Sequence, residues 1–197
     1  IESNTSIRRF DQLDGDFNGS LIAGVEIGGV NLRGSMLSGS ITAGAELGNI
    51  RIDGSFAGEL AAPEIRGVLV RGAATSFASI TVGEIGNTRF SGAFNGTLVY
   101  DEARSLRLDE LGADADITIF GDLNDLRTDA TADGSSVIIH GEARRIDIRN
   151  QHAGLIATSG EIGYARFGSI QGGQLLAGTN LDRLYVTDNV TDALISA

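Results

Sequence analysis

Cysteine, lysine and tryptophan are missing from this 197-residue chain, and proline occurs once, at Pro63. Without cysteine there are no disulfides and no thiolate metal sites, so stability must come from a regular core. No apolar run reaches about 18 residues, which excludes a membrane-spanning helix. No secretory signal peptide opens the chain, and "IESNTSIRRF" reads like an excised or processed segment. The lack of lysine leaves all 15 basic residues as Arg, against 26 acids. A formal net charge of -11 disfavours nucleic acid and anionic membranes as partners. An acidic, lysine-free surface suits a saline or extracellular setting, and a GC-rich genome would write the same Arg bias.

What is present in excess is glycine, 28 residues, beside 42% apolar residues and no sustained helical period. That combination signals many tight turns between short strands. One ten-residue phrase then recurs nine times, beginning "VEIGGVNLRG" at Val25 and "AELGNIRIDG" at Ala45. The starts at 25, 45, 63, 83, 101, 121, 141, 160 and 179 are spaced by 18 to 20 residues, the signature of a solenoid.

Within the phrase, places three, six and eight are apolar in nearly every copy. Places six and eight, separated by a polar seventh, give the period-two alternation of a strand. Place three must lie across a bend, where Gly often stands at place four or five. A second strand precedes each decamer, with inward pairs Leu21/Ala23, Ile41/Ala43, Ile80/Val82, Leu98/Tyr100, Ile117/Ile119 and Val137/Ile139. Phe17, Phe56, Phe77 and Phe94 recur in similar phase and predict an aromatic stack at one corner.

These patterns predict an all-β fold: a single parallel β-solenoid over residues 1–197, with about 9–10 coils of 18–20 residues. Residues 1–14 and 189–197 form partial terminal coils. The general bias of parallel crossovers gives the winding a right-handed sense. Stacking at about 4.8 Å per coil makes a rod roughly 45 Å long. Length variation stays between the corner position and the decamer, which leaves no long loops to build a cleft.

The stretch "GDFNGSLIAGVEIGGVNLRGSMLSGSITAGAELGNIRIDG" resembles the glycine-rich β-strand repeats of bacterial surface proteins, those of planctomycetes and haemagglutinin-type adhesins. The resemblance runs from about Gly15 to Asp188, and the later copies lose the closing Gly at Glu110, Ala130 and Asn150. It implies a non-enzymatic structural or adhesive rod segment, extracellular or on the cell surface. Its neighbours would be further coils or flanking domains of a longer chain, with glycans as ligands. Two alternatives stand beside it. One is a cytoplasmic, bactofilin-like subunit that self-associates end to end, and the other is a carbohydrate-active β-helix. The latter needs paired carboxylates across a cleft.

Place two is nearly always acidic: Glu26, Glu46, Glu64, Glu84, Glu102, Asp122, Glu142 and Glu161, then Asn180. In register these carboxylates form a ladder with neighbours about 5 Å apart. Like charges so placed cost up to about 1 kcal/mol a pair. The expected offset is backbone N–H donors at the bend, together with Arg at place four (Arg66, Arg104, Arg144) and at place seven (Arg51, Arg89, Arg107, Arg127, Arg166). The rod needs no cofactor. Calcium is the one candidate ion, and its best local site is Asp114, Asp116 and Asp133, with Asp133 above the other two. His140 and His152, the only imidazoles, lack any HExxH-type context and read as surface residues. Asn4, Asn18, Asn95 and Asn189 begin glycosylation sequons, of which Asn18-Gly19 and Asn95-Gly96 also fit corner turns.

Overall fold

An inward ladder of aliphatic side chains is stable only if the backbone that carries it is satisfied by its neighbours. Stacked parallel coils meet both demands. The computed structural model describes all 197 residues, Ile1–Ala197, as nineteen strands and no helix, joined in one sheet. The pairings are parallel, and each joins one coil to the next. About ten coils result.

The first strand of each coil carries the column Leu21, Ile41, Leu60, Ile80, Leu98, Ile117, Val137, Ile156, Leu175 and Ile195, each paired with the next. All six inward pairs read from the sequence are buried. The second strand is the decamer. Ile27 pairs with Leu47, Val30 with Ile50 and Leu32 with Ile52, and all six side chains are buried. Two successive residues, Gly28 and Gly29, face outward between Ile27 and Val30, so the bend falls at places four and five. A Cβ at Gly48 would run into the Gly28 carbonyl oxygen of the coil below, which accounts for glycine there. "TSIRRFDQLD" is a tenth decamer, with Ile7 under Ile27 and Phe10 under Val30.

The third wall is a corner column, and here the aromatic expectation needs correction. The column runs Phe17, Met36, Phe56, Ala74 and Phe94, then Leu111, Thr131, His152, Ile170 and Val190. Phe77 is outside it and 81% exposed. The fourth coil closes its corner with a tight turn in which Ala78 N–H donates to the Thr75 carbonyl. That turn puts Phe77 at its tip and leaves Ala74 to fill the column. The same turn recurs where Ala115 N–H bonds Gly112 and Ser135 N–H bonds Ala132. Forty-eight buried apolar residues form one cluster, so a single core runs the length of the rod.

Candidate functional site

With the apolar residues consumed by the core, function falls to the outward columns. The acidic column forms as expected in the first half, where Glu26 pairs with Glu46, Glu46 with Glu64, Glu64 with Glu84, and Glu84 with Glu102. Beyond it, Leu123 pairs with Ala103 and Ala143, and Ala143 with Ile162. Asp122, Glu142 and Glu161 precede these residues and continue the edge. A groove of about 460 Å³ follows the bend beside Glu64, Glu84, Glu102 and Asp122, with Arg66 and Arg104 on its other bank.

The offset to this repulsion is only partly the expected one. Arg66 at place four pairs with Glu46, and Asp122 accepts the Glu142 backbone N–H at 2.8 Å. At the far end, Asp182 and Glu142 lie near Glu161. The Asp182 contact, first by hydrogen bonding and then by charge, raises the Glu161 pKa above its ordinary value. The place-seven Arg residues do not reach the ladder. They lie round the bend on the second strand and pair along it: Arg51 with Asp53 at 2.8 Å, and Arg127 with Asp125 at 2.8 Å. The Arg51 hydrogen bond holds the Asp53 carboxyl below its usual range. Arg145 adds Asp147 at 2.7 Å and Asp125 at 3.8 Å. Pairs of this kind, each with a solvent-exposed Arg, contribute about 0–1 kcal/mol each, so they tune the surface more than they hold the fold.

The arrangement of the arginines is the feature that sequence reading missed. Counted by place in the ten decamers, Arg8, Arg66, Arg104 and Arg144 stand at place four, and Arg9, Arg145 and Arg183 at place five. Arg51, Arg89, Arg107, Arg127 and Arg166 stand at place seven, and Arg33, Arg71 and Arg149 at place nine. Every basic residue of the protein therefore lies on one flank, the second strand and its bend. Only seven acids share places four to nine: Asp11, Asp53, Asp109, Asp125, Asp129, Asp147 and Asp182. Fifteen Arg less seven Asp give that flank a formal charge of +8, and the other nineteen acids lie outside it, the place-two column meeting it at the bend beside Arg66, Arg104 and Arg144. The rod is acidic overall and basic on one side.

Place seven runs in register through Arg51, Leu69, Arg89, Arg107, Arg127, Asp147 and Arg166. Three guanidinium groups are therefore consecutive, and Arg89 and Arg107 have no ion-pair partner.

The calcium candidates are not gathered. Asp114 and Asp133 are exposed and fall at different places of the recurring corner turn, while Asp116 pairs in the first strand with Thr97 and Ser136. No three His, Asp or Glu side chains in the protein converge on a point that would hold a metal ion. Among the sequon asparagines, Asn4, Asn18 and Asn189 are exposed and Asn95 is half-buried.

The two histidines differ from each other. His140 is on the surface, stacked on Phe120 at 5.3 Å. His152, expected there too, is fully buried in the corner column. Its Nε2 lies 3.1 Å from the Gln174 carbonyl and its Nδ1 2.7 Å from the Thr131 hydroxyl. A carbonyl only accepts, so Nε2 carries the proton and Nδ1 accepts from Thr131. Burial lowers the His152 pKa, and none of these partners is charged. A lowered value means that the unfolded chain takes up a proton which the folded chain refuses. Stability should therefore be full above about pH 6.5, the unperturbed His value, and fall as pH drops below it. Thermal melts between pH 7.5 and 5.5 should show this slope, and His152→Leu should flatten it.

Fold and surface together define a parallel β-solenoid rod with segregated charge. Comparison with protein-family models, curated proteins and solved structures finds no match to this chain.

Proposed function

We propose that this chain is a non-enzymatic structural or adhesive rod segment of an extracellular bacterial surface protein. The observation that carries this reading is the continuous parallel pairing of coil on coil, which passes from Glu2–Ser3 to Leu194–Ser196 with only short corners between strands. A stack so regular spends its sequence on length and presents repeating columns to the outside. Its place-two acids stand in line along an edge, whereas glycoside hydrolysis needs two carboxylates facing each other across a cleft.

Small-angle X-ray scattering with negative-stain imaging, in physiological salt with chelator, tests the reading. Discrete rods of about 45–50 Å support it. Filaments many rods long would overturn it in favour of an end-to-end polymer, and a globular particle would overturn the rod itself.

A further inference from the structure

Resting on the rod reading, we propose that the Arg89–Arg107–Arg127 ladder on the Arg flank is a binding site for a linear anionic polysaccharide. The three guanidinium groups belong to consecutive coils, paired residue to residue across the sheet. Each coil adds about 4.8 Å, a spacing comparable to one sugar unit of an extended chain. Arg89, Arg107, Arg127 and Arg149 share a groove of about 210 Å³ with Asp109 and Asp129. The two guanidinium groups without protein partners keep their planar donor forks free for carboxylate or sulfate, which they bind in bidentate fashion.

Like charges aligned across a sheet repel, and no acid lies within ion-pair distance of Arg89 or Arg107. A polyanion would relieve that repulsion. It would also release its own condensed counterions on binding, a gain that grows with each cation engaged.

The second copy of this chain is the other polyanion in reach, because its acidic edge repeats at the same coil spacing. Magnitude decides against it. Three exposed, screened ion pairs do not offset the freedom lost when two proteins are joined. Single-stranded nucleic acid would need aromatic platforms between the cations. The groove has none exposed: its Phe90 is buried, and Tyr185 stands three coils beyond Arg127.

Calorimetric titration with heparin, polygalacturonate and a single-stranded oligonucleotide tests the proposal across a salt series. The wild-type chain should bind heparin or polygalacturonate more tightly than the oligonucleotide, and the preferred polymer identifies sulfate or carboxylate as the recognised group. Arg89→Ser/Arg107→Ser should weaken that binding at least about tenfold and reduce the log–log salt slope by about 1–2. Neither arginine has an ion-pair partner, so the variant should melt with the wild type. The control Arg33→Ser/Arg166→Ser, on the same flank but away from the groove, should leave the affinity unchanged.

Three outcomes overturn the proposal: no binding of either polysaccharide at low salt, tighter binding of the oligonucleotide, or polysaccharide binding that the double variant does not weaken. Sedimentation of the wild type as a dimer that the double variant abolishes, with no polysaccharide bound, would assign the ladder to a second copy. Scattering reports the rod separately, so failure of the ligand proposal and failure of the rod are distinguishable.

Discussion

Phe56→Ala should cost about 3–5 kcal/mol, whereas Phe77→Ala should change stability by no more than about 0.5 kcal/mol. Phe56 is fully buried in the corner column, between Met36 below and Ala74 above. Truncation there removes the transfer free energy of a whole ring and leaves a void that its neighbours are poorly placed to fill. Ala74 is already small, and Met36 is fixed by its own pairing with Phe17. Phe77 projects from a turn, and its ring loses little when cut back. Denaturant titration of the two variants reads the difference. Equal effects would mean that the corner column is wrongly drawn.

Thr131→Val should cost about 2–4 kcal/mol, although the two side chains have the same shape. The hydroxyl is a hub. It donates to His152 Nδ1 and accepts from the Ala153 and Gly154 backbone N–H groups at 3.1 and 3.2 Å. Ala153 N–H has a second acceptor in the Thr131 carbonyl, but Gly154 N–H and His152 Nδ1 lose their partner outright. Two buried polar groups left unpaired account for the figure. A valine variant as stable as wild type would show that water or a rotated His152 repairs the site.

These two cases mark where the sequence was legible. The period carried the inward columns of both strands, because the spacing of the inward positions within the first strand and within the decamer is the same in every coil. It failed at the corner, the segment whose length varies most. In the fourth coil the extra turn moves the aromatic residue three places past the inward position, so Phe77 and Ala74 exchange roles. In the eighth coil a register shift after Ile148 brings His152, and not a neighbour, above Thr131.

The acidic column was readable for the same reason as the core, since it is tied to place two. Its counter-charges were not. Pairing Glu46 with Arg66 requires only proximity along the bend, whereas assigning Arg89 and Arg107 away from the ladder requires knowing that the chain has turned a corner before place seven. Segregation of all the arginines was visible in the decamer count. Its meaning appears only once places four to nine are known to share a flank.

The direction of the inter-coil hydrogen bonds has a mechanical consequence. They lie along the rod axis, so tension applied through the two chain ends loads them one coil at a time instead of shearing a whole sheet at once. Under such a load the protein would unwind stepwise from its weaker end. Each 18–20-residue coil would yield about 60 Å of slack, and the remainder would stay folded. A tether built this way lengthens gradually under a pull and rewinds when the pull stops.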